Sequence, residues 1–428
     1  MDTSLKDLLE APERTPIEGA RPVLAVDDEG DDDALRAAID AAAVARVRLT
    51  RRGRDHGTWV ECAPELDPRC ALPRPALRRR RWQEARPVVW RGVCAGALAR
   101  WRNELHDAER AGARLAEPGG LEALLRRRLG RGAAFAVERA EAGGADPERD
   151  LATVFARRTA APDGVPYGGP NGGPNGAPVP WAKAGRLSTH PDDRSVRLRF
   201  GFGREPDDDG SADPLGHRGA TGLARACLPE LRLVEEQREL WSELADLAGT
   251  PLGPACPIAY WNRPQGGALF HHDAFAANET DGQRGVLFVQ LAGATAWLAL
   301  STLQLARRVL SFAAQLDDAP WLVEELAPSG ALEAVAEAGG DEFALVDELG
   351  APGQGRLGAL VNLGPAFTGF LADLGHAAIL RPGDAIVLPN HGWRATAMHS
   401  VLCASDGPNY ALSLGLRPRE LVGAGRRG

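Results

Sequence analysis

Phe270-His271-His272-Asp273, and further along the chain Met398-His399-Ser400-Val401, carry two imidazoles and a carboxylate in a telling order. A His-x-Asp pair near the start of a strand-rich region and one histidine near its end form the set that occupies one triangular face of non-haem Fe(II). The opposite face stays open for a cosubstrate and O₂. His271 and Asp273 are two residues apart, so on a strand their side chains point the same way. His272 then faces the other side and is not expected to be a ligand. The third donor is either His399, in a strand-shaped setting, or His391, in the turn-like Asn390-His391-Gly392. The apolar neighbours of His399 favour it.

The chain around these residues reads as short strands broken by Gly and Pro from Ile258 to Leu416. Val286–Leu291 and Ala296–Leu300 are two strands on either side of Gly293. Ala385–Leu388, a strand around His399 and Tyr410–Leu416 follow. Such a series predicts an α+β protein with a double-stranded β-helix core, the jelly-roll or cupin architecture. Residues 301–378 read as a helical insertion, with helices over Leu303–Leu316 and Pro365–Leu374. Upstream, Pro87–Gly92 and Ser195–Phe200 are expected strands, the latter by its alternation. A helix is predicted from near Gly96 past Trp101, with helical periodicity running irregularly to Arg158. Another is predicted over 220–248, stopped by Gly249 and Pro251. Residues 163–185, rich in Gly, Pro and Asn, read as a loop. The expected organisation is an N-terminal α-rich or mixed segment over 1–84, a main domain over 85–420 and a tail over 421–428. Within the first segment Ala34–Ile39 reads as a helix start, Val47–Thr50 as a strand, and Arg78–Arg81 as a solvated basic run.

Composition narrows the function classes. The chain has 428 residues and a formal net charge of −8, which argues against nucleic acid as its partner. No apolar run is long enough to span a bilayer, and the start lacks a signal peptide's basic and apolar regions. Six cysteines without a C-x-x-C pair read as reduced thiols. Together these features predict a cytoplasmic protein. Only two lysines, Lys6 and Lys183, stand among the 50 basic residues, so a buried cationic anchor is expected to be arginine.

Four motifs extend the reading. They are Pro87-Val88-Val89-Trp90-Arg91-Gly92, Phe270-His271-His272-Asp273, Gln290-Leu291-Ala292-Gly293-Ala294-Thr295-Ala296-Trp297, and Arg381-Pro382-Gly383-Asp384-Ala385-Ile386-Val387-Leu388-Pro389. In their order and spacing the chain resembles the JmjC and cupin-like 2-oxoglutarate oxygenases over roughly residues 86–420. The resemblance implies Fe(II) held by His271, Asp273 and His399, 2-oxoglutarate as cosubstrate, O₂, and oxidative decarboxylation coupled to hydroxylation. It also exposes a departure. At Thr295 many relatives have the lysine that grips the distal carboxylate of 2-oxoglutarate, and Thr carries no charge. Arg417, closing the last strand, is the expected replacement, since its fork matches a carboxylate. Arg394 and Arg284 are fallbacks. Thr295 and Ser413 offer hydroxyls, and Asn278 is placed to orient the cosubstrate or substrate. Tyr260, Trp261, Trp297 and Trp393 are expected in the core or the pocket wall.

The expected substrate is a peptide or protein side chain, or a small molecule derived from an amino acid. Two other classes remain. One is a metal-binding cupin that is not an oxygenase, an isomerase or hydrolase, which Thr295 favours. The other is a catalytically silent interaction module, which an intact ligand set disfavours.

Overall fold

The computed structural model describes residues 46–51, 54–60, 74–115, 117–130, 135–140, 153–159, 178–187, 194–203, 213–273, 282–350, 352–364 and 366–422. The predicted helix start at Ala34–Ile39 and the 421–428 tail beyond Val422 lie outside them. Fifteen strands run in chain order among the described residues: β1 Arg46–Arg51, β2 Arg54–Val60, β3 Val88–Trp90, β4 Phe135–Ala140, β5 Thr153–Arg158, β6 Pro180–Arg186, β7 Val196–Phe202, β8 Leu252–Trp261, β9 Gly267–His271, β10 Gly285–Ala292, β11 Thr295–Ser301, β12 Ala377–Leu380, β13 Ala385–Pro389, β14 Ala397–Cys403 and β15 Tyr410–Pro418. β1 and β2 form a hairpin. The remaining strands make a nine-stranded sheet, in the order β3-β13-β10-β15-β8-β7-β6-β5-β4, and a four-stranded sheet, β12-β11-β14-β9. The protein is thus a mixture of helices and antiparallel sheets.

From β8 to β15 the chain changes sheet at every step but one, the exception being β11 to β12. That connection carries the helical insertion. The helix Thr302–Ala313 opens it with a reciprocal cap: the Ser301 hydroxyl accepts from the Gln304 amide, and the Gln304 side chain accepts from the Ser301 amide. Ala366–Asp373 closes it.

Alternate residues along the central strands enter different layers. Phe288, Trp297, Ile386, Leu388 and Val401 pack between the two sheets. Leu287, Val289, Leu412 and Leu414 face the helices behind the large sheet. Ala296, Leu298, Leu300 and Met398 face the insertion. Strands buried on both faces read as continuous apolar runs, which is why Val286–Leu291 and Ala296–Leu300 stand out in the sequence. They do not pair with each other: β10 and β11 belong to different sheets, joined through Gly293 at φ 66°. A Cβ there would meet the Asn409 backbone at 2.9 Å.

Several expectations are corrected. The helical pattern expected to reach Arg158 ends with the helix Gly120–Leu129, and β4 and β5 follow as an antiparallel pair. Their composition is weakly strand-like, and the ladder from β6 supplies the partner groups. The C-terminal part of the expected 163–185 loop is β6, while 163–177 lies outside the described residues. Trp181 is fully buried over Gly201, where a Cβ would sit 2.3 Å from its ring. The 220–248 helix is three: Pro214–Cys227, Leu231–Glu235 and Arg238–Ala248. The first break falls at Pro229, whose ring and missing N–H do not suit a helix interior. The first of the three is capped by Asp213. The helix expected past Trp101 breaks into Ala95–Leu98 and Arg102–Leu115. The run Arg78–Arg81 is not a uniformly solvated face. It lies in the helix Arg74–Gln83, with Arg81 buried, Arg78 paired to Glu243 at 2.6 Å and Arg80 to Glu84 at 2.8 Å.

The helix Arg102–Leu115 positions β8. Trp261 donates its indole N–H to the Ala108 carbonyl at 2.9 Å, and a Cβ on Gly112 would lie 2.2 Å from the same ring. Trp261 faces this helix, so Tyr260 beside it faces the space between the sheets.

Candidate metal centre

β9 ends at His271, and its direct partner across the ladder is His399 on β14. Opposed residues in an antiparallel pair share a face, which brings the two imidazoles together with ring centroids 4.1 Å apart. Asp273 follows two residues beyond the strand, and its Oδ2 lies 3.6 Å from His399 Nε2. The three ligand atoms all fall within 4.8 Å of one another. Each ring is oriented from behind. His271 Nδ1 lies 2.7 Å from the Leu269 carbonyl and His399 Nδ1 lies 3.4 Å from the Ala397 carbonyl. A carbonyl only accepts, so each Nδ1 carries the proton and each Nε2 keeps its lone pair for a cation.

The electrostatics suit the same use. Burial, helped by neighbouring His271, pushes His399 down to about 3, so it is neutral at ordinary pH. Burial acts to raise the Asp273 carboxyl, but attraction to the neighbouring histidine rings, in the acid range where they are protonated, and to Arg199 outweighs it and the net shift is downward. Asp273 is therefore a carboxylate whose side chain remains 42% exposed on the open side. Two imidazoles and one carboxylate are a fitting donor set for a divalent first-row metal with open coordination positions. Neither His272 nor His391 competes. His272 turns to the insertion, with Nε2 3.4 Å from the Gly350 carbonyl. His391 donates to the Trp82 carbonyl at 2.6 Å and packs edge-on against the Trp82 ring.

The donors open onto a cleft in the space between the two sheets. Val286, Phe288, Trp297, Leu388 and Val401 form its apolar wall, and Arg197, Tyr260, Asn262 and Ser413 its polar part. Trp297 stacks on His399, the planes 24° apart and the centroids 5.6 Å apart, and Phe288 packs edge-on against Trp297.

The other expected site residues are dispersed. Ser413 and Tyr260 line the cleft, while Trp261 is in the core behind the sheet. Thr295 is fully buried. Its hydroxyl donates to Gln290 Oε1 at 2.8 Å and accepts from Trp297 Nε1 at 2.9 Å, so it braces the wall and does not reach the cavity. Arg417 is buried but is not among the residues lining the cleft; it lies near Cys256 and burial lowers its pKa. Arg394 is exposed, paired with Asp347 at 2.7 Å and laid over Trp393, away from the donors. Arg284 does not line the cleft either. Asn278 lies outside the described residues.

Two cleft residues escaped the sequence reading. Asn262 is buried and its Oδ1 has no hydrogen-bond partner. Arg197 enters from β7. The alternation of Ser195–Phe200 signalled that Arg197 and Arg199 share one face, but not what that face meets.

No protein-family description matches the chain, and no curated protein does. Among solved structures, it is similar to an oxidoreductase of the 2OG-Fe(II) oxygenase family from Burkholderia pseudomallei. The match covers 84% of this chain and 97% of that one, at 12% sequence identity and a TM-score of 0.27. No helix among the described residues is long and apolar enough to cross a membrane.

Proposed function

We propose that this chain is an Fe(II)- and 2-oxoglutarate-dependent dioxygenase. In this reading it hydroxylates a peptide or protein side chain, or a small molecule derived from an amino acid. The observation that carries the reading is the convergence of His271, Asp273 and His399 at the head of a cleft. The alternation of β8 to β15 between two sheets supports it, because that strand order suits a double-stranded β-helix. When bound, the metal supplies the redox chemistry that couples a 2-oxo acid and O₂ to oxidation of a C–H bond. The protein's share is to hold and exclude. The two Nε2 atoms and the Asp273 carboxylate bind the metal. Phe288, Trp297, Val286 and Val401 keep water from the reacting face. Tyr260 stays a hydrogen-bond donor because burial raises its pKa, and Ser413 adds a hydroxyl.

A second reading, a metal-dependent isomerase or hydrolase, is favoured by the neutral Thr295 engaged with Gln290 and Trp297. One experiment separates the two. Protein reconstituted anaerobically with Fe(II) is analysed for metal, then assayed in air for succinate release from 2-oxoglutarate. Stoichiometric iron and succinate formation, both lost in Asp273→Ala, are expected. Tight metal binding without any 2-oxoglutarate turnover would favour the isomerase or hydrolase. Failure to bind metal would sink both and leave a silent interaction module.

A further inference from the structure

We infer that Arg197, reaching in from a strand outside the eight that alternate between the sheets, is the cation that receives a ligand carboxylate in this cleft. Arg197 stands opposite Tyr260 on β8, and Tyr260 stands opposite Ala411 on β15. Opposed residues share a face, so the three form one row across β7, β8 and β15, directed between the sheets. Arg197 and Tyr260 line the cleft together with His271, Asp273 and His399.

Three observations single Arg197 out. It is the only Lys or Arg lining the cleft among the described residues. It forms no hydrogen bond or ion pair within the described residues, whereas Arg199 and Lys183, next to it on the same face, are both engaged. The strand positions from which a charge was expected do not supply one: Thr295 is neutral and braced against Gln290 and Trp297, and Arg417 is off the lining.

Charge balance points the same way. A divalent cation on two neutral imidazoles and one carboxylate leaves a unit of positive charge uncompensated, and Arg197 adds a second. A dianion with one carboxylate toward the metal and another toward Arg197 neutralises both, and a guanidinium fork pairs a carboxylate bidentately. Asn262 in the same wall, a buried acceptor without a partner, suits a polar ligand over an apolar one, since a buried unsatisfied acceptor is costly. The carboxylate belongs either to the 2-oxo acid or to the primary substrate. The inference rests on the dioxygenase reading only for the first source, because carboxylate binding needs neither iron redox chemistry nor turnover.

The test uses the full chain loaded with Mn(II), in wild-type, Arg197→Ala and Arg197→Lys forms, with metal content and thermal midpoint measured for each. Calorimetric titration compares 2-oxoglutarate with pyruvate, a 2-oxo acid lacking the distal carboxylate. Arg197→Ala is expected to weaken 2-oxoglutarate at least about tenfold, as for a lost charge-assisted pair. It should leave pyruvate, metal content and midpoint unchanged, and Arg197→Lys should recover part of the loss. If 2-oxoglutarate binds equally to all three forms, thermal stabilisation by succinate, L-glutamate and L-aspartate decides. Stabilisation lost only in Arg197→Ala assigns the residue to the substrate carboxylate. A wild-type protein that binds Mn(II) but no 2-oxo acid overturns the dioxygenase reading, and the same panel still decides Arg197. If no carboxylate, in either measurement, depends on Arg197, the inference is overturned.

Discussion

His271 and His272 are adjacent in sequence and face opposite sides of the chain. The first meets His399 across the ladder; the second turns to the insertion, 3.4 Å from the Gly350 carbonyl. His271→Ala is therefore expected to abolish metal binding, and His272→Ala to leave it near wild type, as read by metal analysis after dialysis. Equal loss in both would show that the chain just past β9 does not keep His272 turned away from the side that His271 faces. A second residue-scale prediction concerns Glu230, fully buried behind the large sheet. Tyr410 donates to its Oε1, and its Oε2 has no partner. Burial, partly countered by the Tyr410 bond, raises Glu230 to about 7 from an ordinary 4.5. The folded state thus holds a proton that the unfolded chain releases earlier. The stability this contributes is complete below about pH 4.5 and is lost as pH rises through 7. The loss is on the order of 3 kcal/mol at most, at 1.36 kcal/mol per unit. Urea unfolding across this range should show that slope in the wild type and a flatter profile in Glu230→Gln.

At the scale of elements, Asp384 ties β3 to the turn before β13. Its Oδ1 accepts from the Gly92 amide at 2.7 Å, and its Oδ2 accepts from Arg91 at 3.0 Å and from the Arg381 amide at 3.0 Å. The turn needs Gly383, at φ 93°, where a Cβ would meet the Ala95 backbone at 2.8 Å. This packing gives Arg381-Pro382-Gly383-Asp384 a physical meaning: the turn and the first strand of the large sheet are held by one carboxylate. Asp384→Ala strands these donors in a buried setting. It is expected to cost roughly 2–4 kcal/mol, measured by urea unfolding, with metal content unchanged because β3 edges the large sheet while β9 and β14 belong to the small one. A cost below about 0.5 kcal/mol, the level of ordinary surface substitutions, would show that the tie is redundant.

At the scale of the whole molecule, the two histidines of the candidate metal site come from strands separated by the entire helical insertion. A cation between them binds the folded chain and not the unfolded one, so it links elements distant in sequence. Mn(II) at a hundred times its dissociation constant should stabilise the fold by about 2.7 kcal/mol, a shift of a few degrees for a chain of this size. EDTA should reverse the shift, and Asp273→Ala should abolish it. A midpoint insensitive to metal in the wild type would count against a site built on both strands.

Much of this was legible before any fold was known, wherever the cause is local. A period of two puts His271 and Asp273 on one side, and apolar runs mark strands buried on both faces. Gly249 in the left-handed region ends a helix where the sequence has Gly and Pro. What escaped was decided by partners far along the chain. β4, β5 and β6 mix strand-favouring Phe, Val, Thr and Trp with Ala, Arg, Gly and Lys, and neighbouring strands satisfy their backbone groups. That His399 and not His391 lies beside His271 and Asp273 follows from the β9–β14 register and from the hold of Trp82 on His391. The alternation around Arg197 was visible, but its place beside the metal site depends on β7 pairing with β8. Local pattern fixes which residues share a face; which faces meet is set by burial and ladder pairing summed over the whole chain.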